Sequence, residues 1–114
     1  VKIVVWHPVS AKCKIFEAEY PDRISIHDSP EAVVKACTLT FVTPLTPYDS
    51  KFIFEMPNGI LSGMMLGSQI IDCWTMSKDY TRRISGQVNG KGGMYINMQI
   101  ASSAEPGMFM FLCG

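Results

Sequence analysis

Four cysteines, two histidines and a scatter of aspartates are the residues of this 114-residue chain that could do chemistry. A cysteine becomes a nucleophile as a thiolate beside a general base, usually with a third group orienting that base. The corresponding constellation here would be Cys73 or Cys37 with His7 or His27, a cysteine-dependent hydrolase. No local signature joins either histidine to a cysteine. Cys37 is in period with Leu39 and Phe41, the pattern of an inert packed thiol. His7, between Trp6 and Pro8, has the setting of a surface or capping residue. Cys13, Cys37, Cys73 and Cys113 lie 24, 36 and 40 residues apart, and no Cys-x-x-Cys pair exists for a zinc-finger-like site. Three pairings into two disulfides are arithmetically open, but the cysteines are too sparse for a disulfide scaffold, so free buried thiols are expected.

Asp22, Asp28, Asp49 and Asp79 fall in or beside expected loops, where oxygen ligands could converge on calcium. They lack Asp-x-Asp-x-Asp spacing, and turn chemistry alone explains aspartates there. Calcium is therefore the one cofactor the sequence leaves open. The Asp-Thr/Ser-Gly turn of aspartic proteases is absent: Asp28 precedes Ser29-Pro30, and Asp72 precedes Cys73-Trp74. No Gly-x-Ser-x-Gly occurs. Gly90–Gly93 carries a lysine but not the Gly-Lys-Ser/Thr ending and following helix of a phosphate loop. These absences predict a protein that is not an enzyme.

Ten basic and ten acidic side chains cancel, which removes the electrostatic footprint of a nucleic-acid binder. The one basic cluster surrounds Tyr80 with Lys78, Arg82 and Arg83, and on a strand its two arginines would point to opposite faces. No apolar run reaches the length of a spanning helix, and no signal peptide opens the chain. No Asn-x-Ser/Thr sequon occurs at Asn58, Asn89 or Asn97. A start at Val1 without Met and an apolar end predict one domain, 1–114, excised from the C-terminal part of a longer chain.

The elements that must position these residues read as strands. Val and Ile number 19 against 11 for Ala plus Leu, which favours pleated, half-buried surfaces. Apolar and polar residues alternate over Cys37–Phe41 and Met94–Ile100. Met108–Cys113 is apolar on both faces, as a central strand would be. Further strands are expected over Lys2–Trp6, Lys12–Glu19, Arg23–His27, Lys51–Met56, Gly59–Leu66, Ile70–Met76 and Tyr80–Val88. Asn58-Gly59 has hairpin chemistry, and Asn89–Gly93 reads as a longer hairpin tip. Only Ser29–Ala36 reads as helix, with Ser29 as N-cap and Pro30 at the first position. The expected fold is all-β: a small antiparallel sandwich or jelly-roll-like barrel of about 8–9 strands.

An all-β domain without catalytic motifs or net charge is expected to be a structural surface module. The profile fits a protruding or decoration domain of a small virus capsid, on the virion surface, dimerising and presenting loop tips to a host receptor or glycan. Interface candidates are Phe109, Phe111, Trp74, Tyr80 and Arg82; receptor-facing candidates are Asn58, Asn89, Lys91 and Tyr48. The first alternative is a secreted carbohydrate- or protein-binding domain of adhesin or toxin B-subunit type. The second is the cysteine-dependent hydrolase above.

Overall fold

A computed structural model describes the backbone of residues 2–44, 47–73, 77–102 and 109–113, and the side chains of residues 2–44, 50–73 and 77–98. Strands and helices alternate along it. β1 (Ile3–Val5) leads to α1 (Ser10–Glu19), β2 (Ile24–Ile26) to α2 (Pro30–Ala36), and β3 (Leu39–Val42) to α3 (Pro47–Glu55) and α4 (Ile60–Gly63). β4 (Gln69–Asp72), α5 (Lys78–Gly90), β5 (Met94–Ser102) and β6 (Phe109–Cys113) complete the order. The all-β expectation is overturned: this is a mixed α/β domain built on parallel strands.

Two of the helices declare themselves locally. The Ser29 hydroxyl accepts from the Ala32 N–H at 3.1 Å, Pro30 supplies its preset φ, and Glu31 faces the positive helix end. Ser77 caps α5 in the same way, accepting from the Tyr80 N–H. Along α5, Tyr80, Ile84 and Val88 recur every four residues and therefore share one face. Ile84 and Val88 are fully buried, and Tyr80 packs against the same core. The helix stops at a turn in which Gly92 takes φ +81° and the Gly93 N–H donates to the Val88 carbonyl. Asn89–Gly93 is thus a helix end and not a hairpin tip. Asn58-Gly59 is likewise the turn between α3 and α4, where the Asn58 carbonyl accepts from the Glu31 N–H. α4 approaches α2 so closely that a Cβ on Gly63 would stand 2.5 Å from the Glu31 carbonyl oxygen.

The strands form two groups. β1 and β2 pair in parallel, Ile3 beside Ile24. β3, β4 and β5 pair in parallel, with Phe41 beside Ile71 and Ile71 beside Ile96; β6 adds antiparallel to β5. The order in the larger sheet is β3-β4-β5-β6, so the apolar last strand lies at an edge of the described sheet and not at its centre. Central β4 is buried on both faces, as parallel sheets require. Ile70 and Ile71 pack into a core with Val34, Val42, Phe54, Ile60, Ile84 and Val88. The face of β3 that carries Leu39 and Phe41 is exposed, contrary to the packed face expected with Cys37.

Candidate functional site

In a sheet of this kind every helix returns the chain to the start of the next strand, so the strands' carboxyl ends gather along one edge. Ligands of open α/β sheets bind outside those ends, at the point where strand order reverses. Here the edge carries Trp6-His7-Pro8 after β1, His27-Asp28 after β2, Thr43-Pro44 after β3 and Cys73 after β4. A half-open cavity of about 320 Å³ lies beyond β1 and β2, lined chiefly by Trp6, His7, Ser10, Cys13, Ile26 and Asp28.

His7 is fixed in this cavity by its backbone neighbour. Its Nδ1 accepts from the Val9 N–H at 2.9 Å, which assigns the ring proton to Nε2 and leaves Nε2–H as the outward donor. The Cys13 thiol, on the buried face of α1, is pushed up by burial and is therefore no thiolate. Cys73 is also pushed up, first by burial and then by the neighbouring Asp72 charge. Neither behaves as an activated nucleophile, and Cys37 lies at the end of α2, outside the histidine-bearing cavity. The predicted cysteine–histidine pairs are not formed.

Beside the β4 end lies a buried polar group. Asp72 has no exposed surface, and the Tyr95 hydroxyl donates to its Oδ2 at 2.7 Å. Burial, then the Asp72 hydrogen bond, drives the Tyr95 hydroxyl far above the ordinary tyrosine range. Asn97 Nδ2 reaches the Asp72 carbonyl from β5. This network ties the carboxyl ends of β4 and β5 together, which makes it scaffold for the binding edge.

The residues singled out in the sequence are dispersed. Asp22 and Asp28 are exposed turn residues and Asp79 sits in the first turn of α5, while the Asp49 side chain lies outside the described residues. No group of three His, Cys, Asp or Glu able to hold a metal occurs among the described residues. Tyr80 belongs to the core and Arg82 is exposed on α5. Asn89 and Lys91 stand at the opposite edge of the sheet, before β5, and Asn58 joins two helices. The side chains of Tyr48, Trp74, Phe109 and Phe111 lie outside the described residues. What the sequence reading missed was Trp6, Ser10 and Ile26, whose only signal was that a strand ends at Trp6 and a helix begins at Ser10.

Comparison with known proteins gives these ends a meaning. The model of the NAD binding domain of 6-phosphogluconate dehydrogenase matches residues 1–114. The cytokine-like nuclear factor N-PAC of Homo sapiens is 24% identical over 103 residues, covering 90% of this chain and 18% of that protein. Glyoxylate/succinic semialdehyde reductase 1 of Arabidopsis thaliana is 25% identical over 105 residues, 92% of this chain and 35% of that protein. Among solved structures, Psf3 in complex with NADP+ and 2-OPP superposes with a TM-score of 0.85 at 14% identity, covering 99% of this chain and 40% of its own. The chain thus spans from under a fifth to about two fifths of these proteins. Four expectations fall with these matches: the capsid module, the virion surface, the absence of a cofactor and the absence of an enzyme. In their place stands an NAD binding domain, for which a nicotinamide cofactor is expected.

The residues present fit that cofactor in part. The β1–β2 cavity offers an aromatic plane at Trp6 and hydrogen-bonding groups at His7 and Ser10, suited to an adenosine. The pyrophosphate needs close glycine-rich backbone and a helix N-terminus aimed at it. The turn after β1, Trp6-His7-Pro8-Val9, has no glycine, and Pro8 has no N–H to donate. Among described residues the two positive-φ glycines, Gly67 and Gly92, precede β4 and β5 at the far edge, joined by a Gly67 N–H to Gly92 carbonyl bond. The described residues do not furnish a seat for the pyrophosphate.

Proposed function

The chain belongs to the family of NAD-binding domains of 6-phosphogluconate dehydrogenase, and from that membership we propose that it supplies the adenosine side of a nicotinamide-dinucleotide site in a reductase. The observation that carries the reading is the cavity at the carboxyl ends of β1 and β2, with Trp6 and His7 on its wall. In this role Trp6 gives the adenine a flat apolar partner, and the His7 Nε2–H donates to the ribose or its phosphate. His7 stands at the strand end where doubly wound domains read the ribose 2′ position. Neither an acid, which would prefer the free 2′-hydroxyl, nor an arginine, which would prefer a 2′-phosphate, occupies positions 7–9. A single N–H donor there discriminates little between the two forms.

The substrate side of the reaction would be formed by the remainder of a longer protein. Its chemistry in this reading is reduction of a small carbonyl compound, the kind of activity for which the Arabidopsis relative is named.

Ligand-observed NMR of the 114-residue chain with 5′-AMP and 2′,5′-ADP tests the reading. Both nucleotides are expected to bind with similar dissociation constants, on the order of millimolar. Trp6→Ala and His7→Ala should each weaken them, by about fivefold to tenfold. Binding of neither nucleotide, or binding indifferent to both substitutions, refutes it.

A further inference from the structure

The chain's two histidines, His7 and His27, come together at one cavity although they belong to different strand ends. β1 and β2 pair in parallel with Val5 beside Ile26, and the His27 N–H donates to the Val5 carbonyl at 2.9 Å. The two strands therefore leave the sheet side by side, carrying His7 just past β1 and His27 just past β2. Both residues are partly buried, and both line the cavity of about 320 Å³ together with Asp28.

Few groups set the charge of this lining. Cys13 stays a neutral thiol because burial pushes it up, and Asp28 is an exposed carboxylate. With both imidazoles neutral, the lining carries the single negative charge of Asp28. With both protonated, two positive charges stand against that one negative charge, and the sign reverses. Histidine is the side chain that makes this change across the physiological pH range. Charges on the neighbouring elements do not offset the swing. Glu31 and Lys35 of α2 pair with each other at 2.6 Å. Lys2, Asp22 and Arg23 stand at the far ends of β1 and β2, and Lys12, Lys14, Glu17 and Glu19 of α1 balance outside the lining.

The His7 ring is placed to use the added proton. Its Nδ1 accepts from the Val9 N–H, so the neutral ring presents Nε2–H alone. A proton on Nδ1 makes that nitrogen a donor too and releases the Val9 N–H beside it. An anion in the cavity then meets a charged donor, and such hydrogen bonds are roughly twice as strong as neutral ones. We propose that His7 and His27 make the cavity's choice at the ribose 2′ position depend on pH, with a 2′-phosphate favoured over a free 2′-hydroxyl in mild acid and little preference in mild base. His7 makes the contact, and His27 acts by offsetting Asp28. This dependence rests on the adenosine reading. The ligand's own titration runs the other way, since a phosphomonoester loses its second charge as pH falls through about 6. A preference that grows on acidification therefore belongs to the protein.

Ligand-observed NMR titrations of the 114-residue chain with 5′-AMP and 2′,5′-ADP, at about pH 8, 7 and 6, test the proposal. The dissociation constant of 5′-AMP divided by that of 2′,5′-ADP is expected close to one at the highest pH and about tenfold larger at the lowest. Taking the ratio cancels any loss of folded protein, which both ligands share. His7→Gln keeps a neutral N–H donor but takes up no proton, so the rise should shrink to about threefold, as it should in His27→Gln. The double variant should show no rise. Asp28→Asn should raise the ratio by about threefold in mild base, where its charge opposes the phosphate. A ratio that stays flat or falls on acidification, with both nucleotides bound, overturns the proposal and keeps the adenosine reading. So does a rise that persists in the double variant. Binding of neither nucleotide at any pH removes that reading and the proposal with it.

Discussion

Asp72 is a carboxylate without exposed surface, held in place in part by the Tyr95 hydroxyl. Burying such a group is costly unless its oxygens are hydrogen-bonded. Tyr95→Phe keeps the ring's edge contact with Phe54 and removes the donor, so it should destabilise by about 1.5–3 kcal/mol in a denaturant titration. Tyr95 also sets an alkaline limit. Its folded pKa is raised, so the neutral hydroxyl's contribution is complete below about pH 10 and is lost as the unfolded tyrosine begins to ionise above that. Unfolding midpoints followed from pH 8 upward should fall near pH 10, and the fall should be shallower in Tyr95→Phe. Tyr80 gives the opposite expectation. Its hydroxyl is buried facing the Ser50 hydroxyl without good hydrogen-bond geometry, while its ring packs on the core and lies 5.3 Å beneath the Arg83 guanidinium. Tyr80→Phe should leave the midpoint unchanged or raise it by about 1 kcal/mol of stability.

At the scale of elements, α2 and α4 meet through Gly63, and no shift of a flexible side chain can make room beside the Glu31 carbonyl. Gly63→Ala should cost about 1–3 kcal/mol by overpacking, measured by thermal or chemical unfolding, and Ser29→Ala about 1 kcal/mol through its lost cap. α2 was legible because Ser29, Pro30 and Glu31 are local signals read without reference to partners. α5 was read as a strand over Tyr80–Val88: the Tyr80, Ile84, Val88 spacing after Ser77 carries a helix signal, but period-2 alternation over the same residues outweighed it. α1 was not legible. Its run Lys12-Cys13-Lys14-Ile15 alternates like a strand, and as a helix it buries only Cys13 while leaving Ile15 and Phe16 exposed. α3 misleads similarly: Phe52 and Phe54 share a strand face, yet on the helix Phe54 is buried and Phe52 is not.

For the whole molecule, the exposed Ile15 and Phe16 of α1, Tyr20 just after it, and the open β1 and β3 edges predict association of the isolated chain. At tens of micromolar it should elute larger than a 114-residue monomer, and monomeric elution excludes this. Sequence by itself determined part of the punctuation: that Ser29 caps a helix with Pro30 at its first position, and that no nucleophilic motif is spelled out. It also determined that net charge is zero and that Val and Ile outnumber Ala and Leu. Tertiary structure decided strand direction, because the apolar residues of a parallel strand buried on both faces lack the alternation that marks its faces in sequence. It decided the site as well. Trp6 follows β1, Ser10 opens α1 and Ile26 ends β2, and only helical return of the chain brings them to one edge.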